Sequence, residues 1–394
     1  MAINPRRCGG TAAIWMLIVL VPGCGHSEQP PVAGGAATEA SQQHVGECGV
    51  ADPVLAQLAS ARGKTIGTAY RSTFAQDDRC YRDVAIAEFD SLTTEIGTMM
   101  NTVQPAPGMF DFREADAVAD LAAEQHKDFQ LHSLVWDPLD QQQWNIVPPA
   151  IRALPPDQRH RLMIDSVTTV MKRYAGRAST VTVVNEAFDQ MGSLQPNAWW
   201  ETTRSDQYIF DAFRAARQAD PTAQLYFNEH TAETNSDKSN AVYDLVKRLR
   251  DTTVEVTVDG KPSSKPLIDG IGFQGHMLGG KDQQPNISDI ETNLQRFADL
   301  GVAIRFTELD VRIPVLNGGA TVADLDRQRL VYNMMTQVCL NQPQCTGLTL
   351  WGFTDRRSWI TDYPDSFSGY GAATPLTADY QRKPAWTGIA DALK

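Results

Sequence analysis

The sequence is short of positive charge: 35 Lys and Arg stand against 47 Asp and Glu, a formal net charge of −12 over 394 residues. A phosphate-binding surface needs a basic stripe, and none is found, which argues against nucleic acid as a partner. Histidine is scarce as well, at seven residues, and neither a CxxC pair nor a His/Cys cluster with metal-ligand spacing occurs. No metal site is therefore expected, and with no glycine-rich phosphate loop evident, no cofactor either. The apolar run from Thr11 to Val21 falls below the roughly 20 residues that span a bilayer as a helix. What remains is 42% hydrophobic residues, ample for a sizeable core, in a length that suits two average domains or one (β/α)8 barrel.

The first residues read as an export signal. Arg6 and Arg7 precede the apolar run, which ends in Leu20-Val21-Pro22-Gly23-Cys24. The small residue directly before Cys24 resembles a bacterial lipobox, which implies lipidation of Cys24 as the first mature residue. The alternative is a plain signal peptide with Cys24 incidental. Residues 25–47 shift to Gly, Ala, Pro, Ser and Gln; with so little apolar surface to bury, they are expected to be a flexible tether. The expected organisation is thus a signal over 1–24, a linker over 25–47 and one folded domain over 48–394, exported and held at a membrane through the lipid alone. Export makes disulfides plausible. Setting aside Cys8 and Cys24, Cys48, Cys80, Cys339 and Cys345 allow three pairings. The close pair Cys339/Cys345 is expected to close a short loop, leaving Cys48 for Cys80; four free thiols are the alternative.

Eight short β-rich runs, over 65–70, 95–100, 129–136, 180–187, 224–229, 268–276, 303–311 and 347–354, alternate with helical patterns such as 114–125, 207–219 and 288–300. Ser288 is expected to cap the last of these. Such alternation predicts parallel βαβ units, and eight units favour a closed α/β barrel, a (β/α)8 single domain, over an open sheet. Residues 254–267, with alternating Thr and Val, predict a hairpin inserted before the sixth strand. Nearly every predicted strand ends in polar or aromatic residues: Asn185-Glu186, Asn228-Glu229, Gln274 with His276, Glu308 and Trp351. Strand C-termini form the functional face of such barrels, and converging carboxylates and amides are costly to bury there without a use. Glu186 and Glu308 end the fourth and seventh strands, where two carboxylates can flank one bound bond.

The segments Val183-Val184-Asn185-Glu186-Ala187 and Phe306-Thr307-Glu308-Leu309-Asp310 resemble the two catalytic motifs of glycoside hydrolase family 10, the retaining xylanases. Gly270 to His276 resembles that family's sixth strand, and Leu350-Trp351-Gly352-Phe353 with Ser358-Trp359 its eighth. Gly108-Met109-Phe110-Asp111-Phe112, His132-Ser133-Leu134-Val135-Trp136 and Tyr380-Gln381-Arg382-Lys383-Pro384 also fit, in the family's order. The resemblance implies Glu308 as nucleophile and Glu186 as general acid/base, with carboxyl groups about 5–5.5 Å apart. It further implies Asn185 on the sugar 2-hydroxyl, His276 orienting Glu308, Gln274 supporting the same subsite, and Trp351 and Trp359 stacking on sugar faces. Glu95, Trp136, Asn228 and Trp144 join the expected substrate-binding set. By contrast, His132, Trp199, Trp200 and Glu229 are expected to be structural.

On the side that would hold the non-reducing sugars, the sequence departs from the family. Its Glu-Asn-x-x-Lys motif keeps Glu95 but carries Ile96 and Met99. Asp137 replaces the His after Val-Trp, Val181-Thr182 replace Trp-Asp, and Glu229-His230 replace Asp-Tyr. Asp137 is expected either to supply a replacement acceptor or to face solvent. The resemblance implies an endo-1,4-β-xylanase, monomeric, acting on a polysaccharide or oligosaccharide. The alternatives are a retaining β-glycosidase for another or decorated glycan, an exo-acting β-xylosidase, or a surface glycan-binding lipoprotein without turnover.

Overall fold

The computed structural model describes residues 48–139, 144–315, 319–363 and 365–394; the expected signal, Cys24 and the linker lie outside them. Its eight parallel strands are β1 Thr65–Tyr70, β2 Ser91–Thr94, β3 Asp128–Leu131, β4 Ala178–Asn185, β5 Gln224–Glu229, β6 Gly270–Phe273, β7 Ala303–Pro314 and β8 Cys345–Leu350. Each pairs with the next, and β8 pairs with both β7 and β1, so the sheet closes into the expected (β/α)8 barrel. Strands such as β1 and β5 are buried along nearly their whole length, as sheets covered by helices must be.

The barrel interior sets where glycine has to stand. A Cβ at Gly270 would lie 2.3 Å from the Tyr226 ring, and one at Gly272 would lie 2.3 Å from the Asn228 Oδ1. The bare backbone of β6 therefore leaves room for the Asn228 amide, on which the site below depends. Deeper in, Arg305 of β7 is buried and donates to the hydroxyls of Thr65 (2.8 Å) and Thr349 (3.2 Å). Burial, opposed by more distant acidic groups, draws its pKa below the usual arginine value.

Three local expectations are corrected. The second strand is Ser91–Thr94 rather than 95–100: the apolar residues Ile96 and Met99 that suggested a strand line a cleft instead. The sixth run is split, Gly270–Phe273 and His276–Leu278 being separated by Gln274 and by Gly275 at φ +78°. Ser288 lies inside its helix, Ile287–Ala298, whose cap is Asn286, accepting from the Asp289 N–H. The hairpin is present as Thr253–Val258 paired antiparallel with Lys261–Pro266.

Cys48 is bonded to Cys80 and Cys339 to Cys345, at sequence separations of 32 and 6. Chain-entropy arguments assign roughly 3.5 kcal/mol to the longer loop and about 2 kcal/mol to the shorter. Cys48→Ser/Cys80→Ser is thus expected to lower Tm further than Cys339→Ser/Cys345→Ser, checked by calorimetry of both doubles. The reverse order would mean that native contacts around the shorter loop outweigh the entropy.

Candidate active site

A cleft of about 600 Å³ opens at the C-terminal ends of the strands, and both Glu186 and Glu308 line it. Glu186 follows β4 directly and holds φ at +53°, a left-handed backbone that a non-glycine residue adopts at a cost. Its half-buried carboxylate accepts from Gln274 Nε2 (2.7 Å), Trp136 Nε1 (3.0 Å) and Asn185 Nδ2 (3.2 Å). Glu308 sits in β7 at a register irregularity, where pairing to β8 shifts between Phe306 and Leu309. Bulges of this kind redirect side chains beside active sites.

The surroundings of Glu308 differ in kind. Asn228 Nδ2 donates to its Oε1 (2.6 Å) and also to Asn185 Oδ1 (2.8 Å), while Thr307 fixes the amide by donating to Asn228 Oδ1 (2.5 Å). His276 Nε2 lies 3.3 Å from Glu308 Oε2, and its Nδ1 lies 3.0 Å from Asp310 Oδ2, which also receives Trp359 Nε1 at 2.7 Å. Burial disfavours charge on His276, but Asp310 and Glu308 outweigh it and raise the imidazole to about 10. Burial likewise works to raise Glu308. The nearby His132 and His276 rings and the Asn228 amide overcome it, holding the carboxyl below its ordinary value. One carboxylate thus faces a cationic ring, and the other is held by neutral donors.

Aromatic rings wall the cleft. Trp144 packs 4.7 Å from Tyr363, 5.9 Å from Trp136 and 6.0 Å from Trp359, and Trp351 meets His132 edge-on at 5.0 Å. Asn185, Gln274, His276, Trp136, Trp144, Trp351, Trp359 and Glu95 all line it, as expected. Two residues do not. Asn228 lies beneath the wall, reaching the site through its amide. Asp137 neither faces solvent nor lines the cleft: it is buried, paired with Arg152 at 2.5 Å and accepting the Ala198 N–H at 2.7 Å. The missing histidine is therefore not replaced by an acceptor in the cleft; its position is spent on anchoring a loop.

Of the residues read as structural, Trp199 is buried with its indole donating to the Trp136 carbonyl (3.3 Å). Glu229 is fully buried 2.9 Å from Lys238 and accepts the Phe188 N–H. Burial, opposed by Lys238 and aided by Glu186, lifts Glu229 to about 7. His132 is held by Thr94 and Thr98 through its backbone, yet its ring also lies 3.7 Å from Glu308. Sequence reasoning missed Arg71, His230, Arg312 and Tyr363 on the walls and Asp310 behind His276. A usable signal existed for two of them, because Glu308, Asp310 and Arg312 recur at the two-residue period of one strand face. Arg71 pairs with Glu95 at 2.5 Å; burial raises the Glu95 pKa against that pull. Among the described residues, no group of His, Cys, Asp and Glu has an arrangement suited to a metal ion.

Two carboxylates with unlike surroundings, set over β4 and β7 of a barrel and flanked by indoles, define a site for glycoside hydrolysis. Residues 54–392 match glycosyl hydrolase family 10, and the chain belongs to that family. It is 31% identical over 357 residues to endo-1,4-beta-xylanase B of Thermotoga neapolitana, covering 89% of this chain and 94% of the relative. Endo-1,4-beta-xylanase 1 of Humicola insolens is 32% identical over 86% of this chain and 74% of its own length. Among solved structures, xylanase 10B of Thermotoga petrophila in complex with xylobiose superposes with a TM-score of 0.77 at 31% identity, covering 87% of this chain and 98% of that one. The protein is a glycoside hydrolase.

Proposed function

We propose that the chain is a retaining endo-1,4-β-xylanase that cleaves xylan through a covalent glycosyl-enzyme. The observation that carries this reading is the asymmetry between the two carboxylates lining one cleft: Glu308 beside the cationic His276, Glu186 among neutral donors. Glu308 attacks the anomeric carbon as a carboxylate, the form its surroundings favour. Glu186 gives its proton to the leaving oxygen and then takes one from the attacking water. Asn185, held by Asn228, meets the sugar 2-hydroxyl, where a hydrogen bond that strengthens in the transition state lowers the barrier. Trp351 and Trp359 offer faces for sugar stacking. The xylanases among the relatives support the substrate assignment.

Ile96 and Met99 line the cleft where the family carries hydrogen-bonding Asn and Lys, and they withhold contacts worth about 0.5–1.5 kcal/mol each. Activity on undecorated xylan is accordingly weakened. Wild type and Ile96→Asn/Met99→Lys are compared on linear xylan and on aryl β-xylobioside, β-cellobioside and β-xyloside. The expected result is turnover of the xylobioside by wild type and about tenfold higher kcat/KM in the double variant. Turnover of the cellobioside or the xyloside alone would replace this reading by another β-glycanase or by an exo-acting β-xylosidase. Folded protein inert on all of them would leave a glycan-binding lipoprotein.

Disulfides in the domain agree with export. The domain runs from about residue 48, behind a linker and a lipid on Cys24. Membrane fractions of the native host should hold wild type and lose a Cys24→Ala form; identical fractionation of the two would refute the anchor.

A further inference from the structure

Two arginines line the cleft, and they stand in opposite electrostatic situations. Arg71 is neutralised by Glu95 at 2.5 Å. Arg312, on the same strand as the nucleophile, has no carboxylate partner among the described residues; its guanidinium lies 5.1 Å from the Phe367 ring centroid. Asp310, two residues back on the same face, does not serve it. Its Oδ2 is engaged by His276 and Trp359, and its buried Oδ1 has no hydrogen-bond partner among the described residues. A half-buried guanidinium carries five N–H donors in a planar fork, the shape that receives a carboxylate in two parallel hydrogen bonds. In a protein of net charge −12 whose cleft already carries Glu186 and Glu308, an unneutralised cation is a specific device.

The geometry points to Arg312 as a recognition site for a carboxylate-bearing sugar, a uronic acid carried as a branch on the glycan that the cleft binds. The inference rests on the glycan-cleft reading and narrows it to acidic, decorated substrates. A branch is favoured over an acidic backbone by charge and by distance. A uronate at the point of cleavage would face Glu308, with Asp310 just behind it, and be repelled. Arg312 lies four residues further along β7, about 13 Å of strand, where a substituent projecting from the main chain can reach it. Phe367 beneath the guanidinium fixes its plane without neutralising it. The loss of contacts at Ile96 and Met99 fits the same picture, since affinity lost on the neutral main chain is recovered from a charged branch.

The test is calorimetric binding to Glu308→Gln protein, which removes the nucleophile from the measurement. The ligands are a xylo-oligosaccharide with one uronic acid branch, the same compound with its carboxyl reduced to the alcohol, and a linear oligogalacturonide. The acid is expected to bind about tenfold more tightly than its reduced form at low ionic strength, with the ratio shrinking as salt screens the charge. Adding Arg312→Met should bring the ratio to about one, and adding Arg312→Lys should preserve part of it. Comparing ratios within each variant cancels any general loss of affinity or folding. Equal binding of acid and reduced forms, a preference that survives Arg312→Met, or no binding of either compound would overturn the proposal. Tighter binding of the oligogalacturonide would overturn the branch in favour of an acidic backbone. If wild type hydrolyses no xylan yet the Arg312-dependent ratio holds, the function proposed above fails and this inference stands.

Discussion

Glu308→Ala is expected to lower turnover of an aryl β-xylobioside by at least about 10⁴-fold, while leaving the fold intact. The carboxylate is the group that bonds to the anomeric carbon, and nothing beside it can substitute. His276 and Asn228 donate to it, and Asp310 is turned toward His276. Truncation also leaves the Asn228 amide without one acceptor, so a modest loss of stability should accompany the loss of rate. Glu186→Ala is expected to behave differently. Loss of a general acid costs about 10²–10⁴-fold and falls most heavily on substrates with poor leaving groups, so activated aryl glycosides should retain the most rate. Added azide separates the two roles. It should rescue Glu308→Ala with formation of the α-glycosyl azide and rescue Glu186→Ala with formation of the β-azide. Exchanged anomers would invert the assignment, and the same azide anomer from both variants would rule out double displacement. For wild type, NMR of the first product should show the β anomer; an α product would make the enzyme inverting.

The barrel was legible because eight separated β-rich runs with intervening helical periods leave few other architectures. Runs 65–70 and 224–229 coincide with β1 and β5. The failures have physical causes. Ile96 and Met99 look like strand residues because apolar side chains facing a glycan cleft and apolar side chains facing a core are alike in composition. Ser288 lost the cap to Asn286 because both residue types accept an N–H and the helix began two residues earlier than its apolar period suggests. Within the site, the carboxylates were found from the strand ends and from the family resemblance together. What stayed hidden were partnerships across strands. Asp137 with Arg152, Arg71 with Glu95, and Arg312 without a carboxylate among the described residues are facts of three-dimensional neutralisation, and a charge in sequence does not reveal which opposite charge will meet it.

Asp310→Asn should narrow the pH range of the enzyme and slow it by roughly 10²-fold, although Asp310 is not itself on the cleft wall. Asp310 is a positioning residue acting through His276: their atoms lie 3.0 Å apart, and His276 reaches Glu308 at 3.3 Å. Burial opposes the imidazolium, so the value near 10 exists because Asp310 and Glu308 outweigh it. A neutral amide at 310 removes one of those two charges. The His276 pKa must then fall from about 10, and Glu308 loses part of the positive field that holds it below its ordinary value. The acid limb of kcat/KM, which reports ionisation of the nucleophile in the free enzyme, should therefore move upward in pH. NMR titration of the His276 ring should show the fall directly, a readout that a merely structural loss would not give. Stability follows with a definite sign. His276 is raised in the folded state above its ordinary 6.5, so the stabilisation linked to its protonation is complete below that value and lost as pH rises through about 10. Glu308 is depressed, so its contribution is present above 4.5 and lost as pH falls through its folded value. Wild type should thus exceed Asp310→Asn in Tm by the largest margin between those limits, the gap closing above about pH 10 as the imidazolium discharges. An unmoved acid limb with an unmoved His276 titration would detach Asp310 from the nucleophile and leave it as a partner of Trp359.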